Sequence, residues 1–582
     1  MKNTPKKDIL REELVQSPGR TALKNFLSRK LSVAGMIVFV LIFVLTFGLS
    51  FILPIDMRSI DSTRKNLPPA MNYLSLPNEL KDGAEALSFG ATFGAGTDSA
   101  GKLYIWGTFS DTADKIRANF PKDLEPVRMV ACGLDHIVVV GESGEVYAWG
   151  NDRLNITNIA QSVKGKNIVD VRAGFQSTVA LDDTGKLHFW GNTSMFYFKP
   201  GEDQGNFQTF DINISTAIAS TKDGRVVCLS PADSLFANVP EAAQGRTVDV
   251  ASTDEVGAAV LDDGTVVTWG QTAAKAYTVP EEIQGQVSEL KGGRTHFTAL
   301  LRDGSVASWG DDSFGQTDAP GGDGFRKIAV SYNQNAAVGA DGKTAVWGQR
   351  GYLMGTDAFG RDIATRLIYG GRVTLTVGFI SVIITAFIGI LVGGFSGYFG
   401  GKVDMFLMRF AEIVSSIPQL PLMMILSSIV VNNISETGRV VMIMVILGIL
   451  NWPGLARLTR AQILAEKENE FVTAAKAMGI RERVIIFRHI LPNVLPVVLV
   501  SITLSMATCM LIESSLSFLG FGVVEPTPTW GNMLNSSMDS TTIKKYWWRW
   551  VFPSLSLGLA TISINIMGDG LRDAIDPKSN DR

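Results

Sequence analysis

Apolar positions are spread very unevenly along the 582 residues. A helix needs roughly 20 consecutive apolar residues to cross the ~30 Å hydrocarbon layer of a bilayer. Stretches of about that character run over Ser32–Leu53, Val373–Phe395, Met405–Val431, Val440–Leu455, Val494–Leu511 and Trp550–Met567, so the pattern predicts six membrane-spanning helices. The first stretch is too long for the apolar part of a signal peptide and has no small-x-small cleavage site, so it is expected to remain as an anchor. Between the first and second stretches the pattern changes. From Asp61 to about Arg350 short apolar runs alternate with Gly, Asp and Ser, which is how strands and tight turns read. The expected fold class is a polytopic α-helical membrane protein with an all-β domain inserted after its first helix.

Within that insert the dipeptide Trp-Gly recurs at Trp106-Gly107, Trp149-Gly150, Trp190-Gly191, Trp269-Gly270, Trp309-Gly310 and Trp347-Gly348, and the one long gap holds a degenerate copy, Leu229-Ser230. A glycine stands five residues before each: Gly101, Gly144, Gly185, Gly224, Gly264, Gly304 and Gly342, at a period of 38 to 43 residues. Each unit reads as two short strands around an Asp-Gly or Ser-Gly type turn, as in AVLDDGTVVTWG (Ala259–Gly270) and ALLRDGSVASWG (Ala299–Gly310). Another apolar stretch such as VDVRAG precedes them. A four-stranded blade of about 40 residues repeated seven times closes into a β-propeller, which removes its exposed edges. The units resemble the repeats of regulator of chromosome condensation, which end in Trp-Gly where WD repeats end in Trp-Asp. That resemblance implies a scaffold; nucleotide-exchange activity is not carried over with it, because the insert is expected outside the membrane, where no small GTPase is available to it. His136, His188 and His296 occupy different blade positions and read as packed or surface residues, so no metal site is expected.

Composition narrows the function classes. Mean hydropathy of +0.18 with 19% charged residues suits a membrane protein, and a net charge of −3 leaves no electrostatic footprint for nucleic acid. Cys132, Cys228 and Cys509 lack Cys-x-x-Cys spacing, so neither a zinc site nor an obligatory disulfide is expected. Lys and Arg cluster in the N-terminal tail (Lys2, Lys6, Lys7, Arg11, Arg20, Lys24, Arg29, Lys30) and around the loop after the fourth stretch (Arg457, Arg460, Lys467, Lys476, Arg481, Arg483, Arg488). Positive charge favours the cytoplasmic side. Six spans with both clusters inside put both termini in the cytoplasm and the β insert outside.

That basic loop contains FVTAAKAMGIRERVIIFRHILPN, Phe471–Asn493. Ala474, Ala475 and Ala477 give a first helix a small-residue face, Gly479 suits a helix C-terminus with positive φ, and a basic second helix is expected to stop at Pro492. The spacing resembles the EAA loop of permease subunits of ATP-binding-cassette importers. Thr473 stands in place of the usual Glu and His489 in place of the usual Ile, as in the peptide/nickel branch. The motifs GTDAFGRDIATRLIYGGRVTL (Gly355–Leu375), GYFGGKVDMFLMR (Gly397–Arg409), FLGFGVVEPTPTWGNML (Phe518–Leu534) and GDGLRDAIDP (Gly568–Pro577) tighten the likeness to the C-type permease of dipeptide and oligopeptide importers. In that family a short Pro-containing loop joins the first span directly to the GTDxxGRD segment. Here NLPPAMNYLSLP (Asn66–Pro77) and YLMGTD (Tyr352–Asp357) look like the two halves of that loop, with the propeller inserted between them.

The resemblance implies a type I importer permease with a second, B-type permease, two ATPase subunits and an extracytoplasmic solute-binding protein as partners, in the cytoplasmic membrane and in contact with its lipid. No cofactor is expected in this chain; ATP and Mg would be bound by the ATPases, since no Gly-x-x-x-x-Gly-Lys-Ser/Thr loop is present. Phe471, Thr473, Ala474, Ala475, Ala477, Gly479, His489, Leu491 and Pro492 would couple to the ATPases, with Ala475 against their groove. Asp362 and Arg366, four residues apart on a short outer helix, and Glu513 near the outer end of the fifth span are candidates for the outer gate or pathway. The expected organisation is a tail over 1–31, helix one over 32–56, a linker over 57–85, the propeller over 86–350, an outer interfacial segment over 351–372, helices two to six over 373–568 with the coupling loop at 458–493, and a tail over 569–582. Peptide is the first expectation for cargo, with nickel chelate, haem or sugar as alternatives. A membrane-anchored propeller receptor or scaffold is the alternative of a different class.

Overall fold

The computed structural model describes residues 18–575 apart from 54–57, 59, 71–73, 108–120, 122, 197–204, 214–216, 232–233, 349 and 431–434. Two compact units divide the chain, one spanning Asp61–Arg361 and the other formed by the residues on either side of it.

The first of these units is a ring of seven antiparallel sheets in chain order. Their first strands are Ala86–Phe89, Val127–Cys132, Ile168–Ala173, Phe207–Ile212, Thr247–Ser252, Val287–Gly292 and Phe325–Ser331. Each sheet has three strands among the described residues, where four were expected. Connections between blades carry 3₁₀ turns, for example Gln161–Val163, Glu241–Ala243 and Glu281–Ile283. In two of these Pro240 and Pro280 stand immediately before the turn, where a missing N–H and a fixed φ oppose a strand ladder.

Inside each blade the hairpin is closed by a glycine with positive φ, as at Gly264 (φ 89°), whose N–H donates to Leu261 O at 2.9 Å. Val and Ala dominate the central strands, which are buried along their whole length. A separate apolar cluster fills each gap between neighbouring blades. Val260, Phe297 and Trp309 belong to one, and the last, containing Phe89, Trp106, Ala336 and Val338, joins blade seven to blade one and so closes the ring. The repeated Trp also ties blades together by its indole N–H. Trp269 donates to Phe236 O, Trp309 to Ala276 O and Trp347 to Gln316 O, each at 3.0–3.2 Å into the preceding connection. At the degenerate repeat Leu229 keeps the buried apolar role without the donor.

His136, His188 and His296 are buried members of this packing, bonded through Nε2 to Thr178 Oγ1, Asp182 Oδ2 and Asn335 Oδ1.

The two segments flanking the propeller pair with each other. Asp61 N donates to Phe359 O, Asn66 N to Asp357 O, Thr356 N to Leu67 O and Ala70 N to Tyr352 O, at 2.9–3.1 Å. Arg64 caps this neck, its guanidinium 3.4 Å from the Phe314 ring centroid and donating to the Tyr352 hydroxyl at 3.0 Å. Arg294, from blade six, reaches Asp61 on the neck and Asp254 on blade five, each at 3.0 Å.

In the second unit, five helices among the described residues are long and apolar enough to cross a membrane: Lys30–Ile52, Ile363–Phe399, Glu436–Lys467, Glu482–Phe518 and Trp548–Ile575. The stretch expected as the third span is instead two helices, Gly401–Ser416 and Gln419–Ile429, bent by 76° at the break. Pro418 is the cause. It has no N–H to donate, and its ring drives Ile417 out of the helical region to φ −77°, ψ 125°.

Ile363–Phe399 packs along Glu436–Lys467 on a stripe of glycines. A Cβ on Gly393 would stand 2.4 Å from Ala456 O, and one on Gly397 would stand 2.8 Å from Arg460 O. Ser381 Oγ and Thr385 Oγ1 donate across the same seam to Met444 O and Gly448 O. Small residues four apart let membrane helices approach this closely.

Candidate functional site

The loop after Glu436–Lys467 folds as a helical hairpin. Glu470–Ala477 forms the first arm, Gly479 turns the chain at φ 71°, and Glu482–Val484 starts the second. A side chain on Gly479 would meet nothing within 4 Å, so the requirement there is the left-handed backbone and not space. The second arm does not stop at Pro492, as the sequence suggested. It passes through a π-helical segment, Ile485–Ile490, into the helix Leu491–Phe518. Pro492 lies in the first turn of that helix, where its missing N–H costs little. The wider π turn before it relaxes the usual demand on the i−4 carbonyl.

Burial divides the first arm into two faces. Val472 and Ala475 are buried against Tyr398, Leu455, Ile463, Ile485, Ile486 and Ile490, which lie on the long helices and on the second arm. Ala475 therefore packs inward, contrary to its expected place against a partner. Phe471, Thr473, Ala474, Ala477 and Met478 form the exposed face, with Met478 72% exposed. Met478 was not singled out in the sequence: three residues after Ala475 it would continue the buried stripe, but it stands just past the end of the helix, ahead of the Gly479 turn, and is exposed. His489 and Leu491 are half-buried and Pro492 is exposed.

The hairpin is also fastened by charge. Lys467 and Lys476 both stand 5.5 Å from the Tyr398 ring centroid, and Lys467 Nζ donates to Tyr398 O. Close by in sequence, Asp404 takes a two-pronged ion pair from Arg460 and a hydrogen bond from Ser396. Ends of three helices, Ile363–Phe399, Gly401–Ser416 and Glu436–Lys467, are thus locked together beside the hairpin.

At the other end of Ile363–Phe399 the expected Asp362–Arg366 pair is absent. Asp362 caps the long helix, accepting from Ala364 N and Thr365 N at 3.1 and 3.0 Å, and no separate short helix exists. Arg366 lies in the first turn of that helix, 2% exposed, and forks onto both oxygens of Glu525 at 3.0 and 3.1 Å. Glu525 was missed in the sequence. The signal was available, since a buried guanidinium needs a carboxylate and Glu525 stands within one of the matching motifs. Glu513 is fully buried and accepts from Ser517 Oγ at 2.7 Å and Ser514 Oγ at 3.3 Å. Ser517 Oγ in turn accepts from Val523 N, so Glu513 anchors the turn that follows its helix. Trp530 closes the same region, its indole N–H donating to Leu367 O at 2.9 Å. Glu513 and Arg366 are each part of this packed cluster.

No group of three or more His, Cys, Asp or Glu side chains arranged to hold a metal occurs among the described residues.

Residues 389–581 match the family described as binding-protein-dependent transport system inner membrane component, and residues 17–69 match the N-terminal TM domain of oligopeptide transport permease C. Residues 127–155 and 287–316 match the regulator of chromosome condensation (RCC1) repeat. A peptide permease protein of Brucella suis is 40% identical over 228 residues, 39% of this chain and 74% of that protein. The oligopeptide transport system permease protein OppC of Haemophilus influenzae is 42% identical over 227 residues, 39% of this chain and 70% of that protein. Among solved structures, human WBSCR16 shares 14% identity over 48% of this chain and 98% of its own, with a TM-score of 0.38. The chain belongs to the family of binding-protein-dependent transport permeases, in its C-type peptide-permease branch, and carries a seven-repeat propeller of the RCC1 type inserted after its first helix.

Proposed function

We propose that this chain is one of two transmembrane subunits of an ATP-driven importer of short peptides. The hairpin at Glu470–Ile490 is the point at which partner ATPases push on it. The observation that carries this reading is the division of the hairpin into a face packed on the long helices and an exposed face of Phe471, Thr473, Ala474, Ala477 and Met478. Small residues flanked by Phe471 and Met478 suit a groove on another protein, because backbone can approach closely while two apolar side chains anchor. The peptide cargo follows from the relatives, which are described as peptide and oligopeptide permeases. In this reading a second permease completes the pathway, a solute-binding protein delivers the peptide, and ATP with Mg is bound by the ATPases and not by this chain. The hairpin and both termini face the cytoplasm, and the propeller lies outside, in accord with the Lys/Arg bias.

Two neighbouring substitutions test the coupling. Ala474→Arg places charge on the exposed face and should cut peptide-stimulated ATPase activity of the assembled complex at least tenfold while the subunit keeps its normal amount in the membrane. Ala475→Arg buries a guanidinium in the hairpin core and should instead lower the amount of folded subunit. Full coupling in Ala474→Arg would refute the docking assignment.

A further inference from the structure

Six of the seven first strands line a cavity of about 340 Å³ inside the propeller. A bulge recurs in six first strands, as between Ile168 and Asp170 and between Val287 and Glu289, and re-aims the side chains that follow it. Charges of both signs line the wall. Blades three, four and six contribute Asp170, Arg172, Asp211, Glu289 and Lys291, and blades one, two and seven contribute Leu87, Met129 and Ala329 together with Arg128 and Lys327. Arg128 is held by Gly141 O and Ile168 O, and Lys327 by Glu85 O.

Arg172 and Lys291 are each paired within their own strand. Arg172 Nε lies 3.4 Å from Asp170, and Lys291 Nζ lies 3.4 Å from Glu289, each an acid two residues back on its own strand. Asp211 accepts from Ser252 N and Oγ, both through Oδ2, and is 6% exposed. Tyr332 also lines the cavity. It is 8% exposed, and its hydroxyl has no hydrogen-bond partner among the described residues.

We infer that this cavity binds a free dipeptide, with its carboxylate on Arg172 and Lys291, its ammonium on Asp211 and Glu289, and a side chain against Leu87 and Ala329. The inference rests on the peptide reading above for the class of solute; the cavity supplies the rest. Three carboxylates and four cations around one cavity disfavour a metal ion and suit a zwitterion, whose two ends meet opposite charges. A volume of about 340 Å³ stands at the low end of the roughly 300–1,000 Å³ of small-molecule sites, which excludes a long peptide. Burial pushes the Asp211 carboxyl up to about 6, so a ligand ammonium beside it would be favoured in its ionised state.

The test is calorimetric titration of the purified full chain in detergent with Ala-Leu, N-acetyl-Ala-Leu and Ala-Leu amide. Free Ala-Leu should bind, and blocking either end should weaken binding at least tenfold. Arg172→Gln should abolish it by removing a charge. Ala329→Leu should abolish it by filling the apolar side with every charge kept, which covers the case in which Arg172→Gln fails to fold. No binding to the folded wild-type chain, or binding that survives both substitutions, overturns the cavity assignment and leaves the permease reading intact. Binding that obeys both substitutions, in a complex that imports no peptide, keeps the cavity and refutes the peptide-importer reading.

Discussion

At the scale of single residues, the buried histidines of the propeller set a pH dependence. His296 is fully buried, and burial lowers its pKa to about 4, although Asn335 beside it works the other way. In the unfolded chain the ring titrates near 6.5. Between pH 6.5 and 4 the unfolded state therefore takes up a proton that the folded state refuses, so this residue removes stability as pH falls through that window and removes no more below it. His136 acts in the same sense, also lowered to about 4 by burial. Asp211 and Asp254 oppose both, because burial raises each to about 6 and the folded state then holds their protons better than the unfolded state does. The wild-type slope is a difference of these contributions, but a single substitution isolates one of them. His296→Gln should gain about 2 to 3 kcal/mol relative to the wild type between pH 7 and pH 4.5. Thermal melts of the full chain followed by tryptophan fluorescence check this. A stability difference that stays constant across that pH range would show that the ring titrates in the folded protein as it does in the unfolded chain.

At the scale of elements, the glycine stripe of Ile363–Phe399 makes a sharp distinction between neighbours. A Cβ on Gly393 would meet Ala456 O at 2.4 Å, a backbone atom that cannot swing away, whereas one on Gly394 would meet the end of Ile463 at an ordinary 3.7 Å. Gly393→Ala should separate the two long helices and cost about 1 to 3 kcal/mol, and Gly394→Ala should be neutral or slightly stabilising through helix propensity. Equal melting temperatures for the two variants would refute the close seam. That stripe was present in the sequence as Gly389, Gly393 and Gly397 but passed unnoticed inside an apolar run, because hydropathy reads length and not shape.

The apolar runs and the Trp-Gly period were legible for the opposite reason, since each sums a weak signal over many residues. Features that hang on one residue or one partner were not legible. The bend at Pro418 was smoothed over by a long apolar window, and the helix through Pro492 depended on a π segment that no local propensity announces. Fourfold strand counting failed where Pro240 and Pro280 turn the chain. The candidate site was half legible. Spacing picked out the hairpin and Gly479, but the inward face of Ala475 is decided by Tyr398 and Ile463, which are distant in sequence.

For the whole molecule, the paired neck explains how a propeller can interrupt a permease loop. Its hydrogen bonds join Asp61 to Phe359, Asn66 to Asp357 and Leu67 to Thr356, all outside the propeller blades, and Ala70 faces Tyr352 where the insert begins and ends. Thr356 Oγ1 also accepts from Leu67 N at 2.8 Å, so the ladder is made twice at one position. Replacing residues 71–351 by Asn-Gly, a pair suited to a tight two-residue turn, should therefore leave this ladder closed on itself. The trimmed chain loses the cover over Leu67, which is 1% exposed against propeller residues, and a cost of about 1 to 2 kcal/mol is expected for that one side chain. It should still insert into the membrane and elute as a single species after extraction. A longer deletion, of residues 61–361, removes every rung of the neck and joins the helices that precede and follow it without a ladder; that chain should be degraded or aggregate. If both deletions behave alike, the neck contributes nothing to the permease unit, and the pairing of Asn66 and Leu67 with Asp357 and Thr356 serves the propeller alone.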